Sequence, residues 1–198
     1  MIAMHNDKPS PDFVRFTEIE DVVVSTELVA HLAPLLDDQP SYWKWIIVAA
    51  HSALQGTMVC ALADSTGTSV LEQESAKKML DWFKDMCGEP PPEKLLSFKR
   101  LLSRCTSGSD PLLALSTEQH RDITRLHDEF RNNFTHFLPH QGWLIEKAGL
   151  PCIITAAMDA VESLMGRLPI PTTVSERQQE RLSKALHDWR AAFVAETS

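Results

Sequence analysis

The sequence predicts an all-α, bundle-like fold of six or seven helices, and three observations carry that expectation. Apolar residues recur with helical spacing in segment after segment. With seven glycines and one tyrosine, and with β-branched clusters scarce, the chain is poor in what an all-β fold uses. The breaks between segments are rich in Pro, Gly, Ser and Asp, residues that stop helices or shape turns. The 198 residues are enough to bury a real core, and 43% apolar with 23% charged is an ordinary soluble composition. Residues 1–15, polar and holding Pro9 and Pro11, read as a flexible arm without the apolar stretch of a signal peptide. Residues 16–198 read as a single all-α domain with no internal repeat.

The first helix runs from Thr17 into the thirties. Ile19, Val22, Val23, Thr26, Val29, Ala30 and Ala33 share a face, Thr17 caps the start with Glu20 three residues on, and Pro34 ends or kinks it. Ser41–Asp64 is the most apolar segment. It approaches the length of a membrane span, but Lys44, His51 and Gln55 would be costly in a bilayer, so it reads as the central helix of the bundle. His51 and Gln55, four apart, share a face. They serve either as core polar groups bonded to each other or to a neighbouring helix, or as the lining of a pocket or subunit contact.

After a loop at 65–69, a helix is expected over Leu71–Met86, stopped by Gly88 and Pro90-Pro91-Pro92. Another follows over Glu93–Cys105, with Leu95, Leu96, Phe98, Leu101 and Leu102 as its apolar set. It carries Lys94, Lys99, Arg100 and Arg104 against Glu93 alone. Those four cations form either a solvated face or a track for an RNA backbone. The connector 106–111 leads to a helix over Ser116–Phe137, opened by a Ser116/Gln119 capping box and stopped by Pro139 and Gly142. A helix over Leu144–Met165, kinked near Gly149-Leu150-Pro151, a linker at 167–173 and a last helix over Val174–Ala195 complete the chain. The last helix gathers Leu182, Ala185, Leu186, Trp189 and Phe193 on one face.

The formal charge is −8, so the surface as a whole repels nucleic acid unless basic groups gather in one place. Cys60, Cys87, Cys105 and Cys152 form no CxxC pair, which points to four reduced thiols in a cytoplasmic protein rather than a disulfide framework or a zinc site. No metal and no cofactor is expected. Phosphate loops, HExxH and GxSxG are absent from the sequence. Pro139 breaks the helix that would align His136 with His140, and His120 and His127, two turns apart on one face, lack a third ligand.

The chemistry-bearing stretch is Phe130-Arg131-Asn132-Asn133-Phe134-Thr135-His136. Arginine grips a phosphate with two donors, and histidine exchanges a proton near neutral pH. On a regular helix Ile123, Leu126, Phe130, Phe134 and Phe137 form a buried seam. Arg131 and His136 then flank a polar sector of Asp128, Asn132 and Thr135. An arginine followed by a polar residue, with a histidine five positions on, resembles the Arg-x4-6-His signature of the HEPN superfamily of small helical domains. That resemblance implies a homodimer with the site at its interface and metal-independent endoribonuclease activity of the kind found in toxin and defence systems, with an antitoxin or regulatory protein as a further partner.

In that chemistry His136 handles the proton transfers, Arg131 holds the phosphate and Asn132 orients either group or bonds the ribose. The helix C-terminus favours a protonated His136 but is the wrong end for binding phosphate through the backbone. Other HEPN-like domains bind a nucleotide or a protein without cleaving anything, which suits an acidic chain. The purely architectural alternative pairs Arg131 with Asp128 and leaves His136 to cap the helix.

Overall fold

Helix α2 (Trp43–Leu62) is the element around which the others pack. In the computed structural model, which describes residues 14, 16–136, 143–168 and 174–195, it contacts α1 (Glu18–Leu32), α4 (Phe98–Thr106), α7 (Leu150–Met165) and the π-helical turn that follows α5 (Thr117–Arg125). The segment expected to be apolar all round is so because neighbours surround it. Ile46, Ile47, Ala50, Ala53, Leu54 and Met58 are fully buried, while Trp45 on the open side is half exposed. The stretch Pro40–Leu62 is long and apolar enough to cross a bilayer, yet these contacts make it the centre of a helical core.

Helix α1 starts where its cap predicts. Thr17 Oγ1 accepts the Glu20 N–H at 3.2 Å, and Glu18, Glu20 and Asp21 place negative charge at the positive end of the helix dipole. It ends at Leu32, and Pro34 sits in a short 3-10 turn over Ala33–Leu35. Close contact with α2 rests on Gly56: a Cβ there would meet Val22 Cγ2 at 2.8 Å. Helix α8 (Glu176–Ala195) lies on the other side of α1. Its expected apolar set, Leu182, Ala185, Leu186, Trp189 and Phe193, is buried. At the rim Arg181 donates from Nε and Nη2 to both carboxylate oxygens of Glu27, at 2.7 and 2.6 Å, and from Nη1 to Glu20 at 2.6 Å.

Several helix boundaries differ from those expected. Helix α4 begins at Phe98, not Glu93. Three consecutive prolines supply no N–H, and the chain beyond them runs extended against Leu71. Glu72 N–H bonds the Lys94 carbonyl at 2.8 Å and Leu96 N–H the Val70 carbonyl at 2.9 Å. Helix α3 (Gln73–Asp85) is correspondingly shorter at both ends than Leu71–Met86.

Helix α7 begins at Leu150 rather than Leu144, with Pro151 in its first turn, the position where a missing N–H costs nothing. No kink arises. A further correction concerns the motif helix. Its capping box forms as expected, Gln119 N–H to Ser116 Oγ at 3.1 Å and Ser116 N–H to Gln119 Oε1 at 3.0 Å. It then passes through a π-helical turn (Leu126–Arg131) before a final α-turn, α6 (Asn132–Thr135). All of the proposed N-terminal arm but Val14, together with Phe137, Pro139, His140, Gly142 and most of the 167–173 linker, lies outside the described residues.

Candidate functional site

The π turn decides the geometry of the motif. Asn132 N–H bonds the carbonyl of His127, five residues back, so one residue is added to the turn. Everything beyond is displaced by about 100° around the axis relative to an unbroken α-helix. The helical wheel therefore does not carry over. Ile123, Leu126 and Phe130 are buried as expected, but Phe134 is only partly buried and rests against Trp143, 5.0 Å between ring centroids. Arg131 and Asn132 are half-buried, and His136 is exposed. His136 is the residue just past α6, its N–H closing the last turn on the Asn132 carbonyl at 3.0 Å.

The Arg131–Asp128 pair of the architectural alternative does not form. Asp128 is held by Lys99 Nζ at 2.8 Å and Glu129 by Arg125 Nε at 3.0 Å. Arg131 Nη1 instead donates to the neutral amide oxygen of Asn132 at 3.2 Å. Both carboxylates within its own turn are thus taken, and the guanidinium keeps its charge uncompensated by either.

Behind Arg131 lies a pairing that the sequence does not display. His51 of α2, only 2% exposed, places Nε2 at 2.9 Å from Nδ1 of His127 in the π turn. The two imidazoles are 16° from parallel with centroids 5.1 Å apart, so they meet edge to edge in nearly one plane. The Phe98 ring of α4 lies across both, at 4.5 Å from one and 4.6 Å from the other. Burial, then the neighbouring His127 and Arg131, push His51 down to about 3. Burial lowers His127 as well, with Arg131 and Lys99 adding to the effect and Asp128 opposing it. Both rings are neutral at pH 7, and one N–H is shared between them. Each histidine was visible in the sequence; that residues 76 apart meet was not, because nothing local encodes it. Gln55 is not the partner of His51.

The four cations read as either a solvated face or an RNA track are divided among separate partners. Lys94 lies in the extended segment and pairs with Glu72 at 3.0 Å. Lys99 is on Asp128, Arg104 donates to the Ser69 carbonyl, and Arg100 is exposed to solvent. Only Lys99 adjoins the motif turn.

A cleft of about 830 Å³ opens elsewhere, between the first turns of α5 and α7 and the end of α8. Trp189 and Phe193, both buried in the core, underlie its floor, and Asp122, 8% exposed, is its buried carboxylate, bonded through Oδ1 to Arg121 Nε at 3.2 Å. Among the described residues the buried Trp189 Nε1–H meets no acceptor. The cleft does not include Arg131 or His136. Among the described residues no three His, Cys, Asp or Glu side chains converge as a metal site would need, and the four cysteines are free thiols. Comparison with known protein families, curated proteins and solved structures finds no match.

Proposed function

We propose that this chain is a HEPN-like, metal-independent endoribonuclease acting as a cytoplasmic homodimer, in a toxin or defence role with an antitoxin or regulatory partner. Arg131 holds the scissile phosphate, His136 exchanges protons with the reacting oxygens, and Asn132 orients the guanidinium to which it is bonded. The observation that carries this reading is the state of Arg131: a half-buried guanidinium whose neighbouring carboxylates are bound by Lys99 and Arg125. An arginine left unpaired by the acids of its own turn and hydrogen-bonded to an amide is suited to an anionic ligand. A π turn at the same place is a second support, since such turns frequently occur at functional sites. The test is cleavage of a mixed RNA pool in EDTA by the wild type and by His136→Ala. The reading expects 2′,3′-cyclic phosphate ends from the wild type and their loss in the variant. Equal cleavage by both would assign the activity elsewhere.

A second reading is favoured by the cleft at Trp189. A non-catalytic module binding a nucleotide would seat a base against Trp189 and Phe193, with Asp122 accepting from its amino or imino groups. It expects saturable nucleotide binding that Trp189→Phe weakens and His136→Ala leaves unchanged.

A further inference from the structure

His136 and His127 stand on opposite sides of Arg131 along one helix. Nine residues separate them, roughly 13 Å of axial rise, too far for both to serve one phosphodiester in the same chain. His136 is exposed at the helix end. His127 has a second ring that holds its plane through a 2.9 Å hydrogen bond, and an aromatic cover in Phe98. Nδ1 is occupied by His51; in the tautomer whose Nδ1–H donates to His51 Nε2, the Nε2 lone pair is the one left to accept a proton. A base oriented by a third group beside an anion-holding arginine is a recurrent catalytic arrangement.

The spacing is compatible with one antiparallel arrangement of two copies. If two motif helices cross antiparallel, with the twofold axis between Arg131 and Asn132, residue numbers across the axis sum to a constant. Each Arg131 then faces the other chain's Asn132, and each His127 comes level with the other chain's His136.

We infer that His127, positioned by His51, is the general base of this site and that it acts together with the partner subunit's His136, giving two composite sites per dimer. The inference rests on the ribonuclease reading above. His127 Nε2 takes the proton of the ribose 2′-hydroxyl, and the 2′-oxygen forms a bond to phosphorus. Arg131 donates to the non-bridging oxygens. The bond from phosphorus to the 5′-oxygen breaks with its electron pair left on oxygen, and the protonated imidazole of the partner subunit's His136 gives that oxygen its proton. A 2′,3′-cyclic phosphate and a 5′-hydroxyl result. His51 does not touch the substrate; it is a positioning residue.

The test uses the full-length chain carrying two different affinity tags, co-expressed so that mixed dimers can be isolated. Homodimers of His127→Gln and of His136→Ala should each cleave at least 100-fold more slowly than the wild type. The mixed dimer of the two variants has one site with neither residue replaced, and should recover about half of wild-type activity. His127→Asn, which can still bond His51, guards against a folding defect and should be equally inactive at an unchanged melting temperature. His51→Gln should lower kcat about tenfold with KM unchanged, a split that a purely architectural role would not give. Wild-type cleavage undiminished in both His127 variants would overturn the inference and leave the ribonuclease reading standing. A mixed dimer as inactive as its parents, or a chain that cleaves as a monomer, would overturn the composite arrangement. A folded wild type that cleaves no RNA would overturn the ribonuclease reading itself.

Discussion

Lys99 of α4 holds Asp128 of the π turn at 2.8 Å, and in doing so keeps that carboxylate away from Arg131 three residues on. Both side chains are well exposed, so the pair itself adds little to stability. Its effect is on the charge presented by the motif. Lys99→Met should leave the melting free energy within about 0.5 kcal/mol of wild type. It should also raise KM for RNA by about 3- to 10-fold, because it removes a cation from the site and frees an acid beside Arg131. Steady-state cleavage kinetics read this directly, and an unchanged KM would mean that RNA does not pass over this face.

The dependence of cleavage on acid pH should report His127. Burial, followed by the nearby Arg131 and Lys99, lowers its proton affinity, with Asp128 the group working the other way; His51 and Phe98 are the rings packed on it. The acidic limb of kcat/KM should therefore lie below 6.5, the ordinary histidine value, since the base must be neutral to act. Asp128→Asn removes the one opposing influence and should move that limb lower still. A shift upward would assign the limb to a different group.

The buried His51 should make the fold acid-sensitive. Above pH 6.5 it is neutral whether the chain is folded or unfolded, and it adds no pH dependence. As pH falls from 6.5 toward about 3, the unfolded chain binds a proton that the folded chain refuses. Stability then drops by up to about 1.4 kcal/mol per pH unit from this residue, and levels off below the folded value. Urea unfolding of the wild type and of His51→Gln between pH 7 and 4 should show a flatter profile for the variant. Parallel profiles would mean that His51 is protonated in the folded chain.

Gly56 of α2 packs directly against Val22 of α1. An added Cβ at 2.8 Å from Val22 Cγ2 must push a β-branched side chain that has few rotamers to move into. Gly56→Ala gains up to about 1 kcal/mol in helix propensity, while overpacking costs about 1–3 kcal/mol. A net loss of about 1 kcal/mol in chemical denaturation is expected, and Val22→Ala in the same chain should recover part of it by opening space. Stabilisation by Gly56→Ala alone would show that the two helices can separate freely.

Much of the architecture was legible because it is local. Thr17 and Ser116 mark helix starts by reaching their own backbones three residues on, and the faces of α1 and α8 follow from spacing alone. The limits appeared where a distant contact outweighed a local preference. Leu95 and Leu96 fit a helical face, yet Leu71 recruits that stretch into an extended bridge. The motif reads as a regular helix, yet its turn takes an extra residue where it packs on α2.

By itself, then, the sequence determined the helical class and the core faces of α1 and α8, because helical periodicity, capping and side-chain type are properties of neighbours along the chain. Tertiary structure alone decided which distant side chains meet. Packing of the π turn against α2 joined His51 to His127, and the approach of α4 drew Asp128 to Lys99 and left Arg131 clear of acid. Those contacts depend on where whole helices lie in space, and no spacing within one helix encodes them.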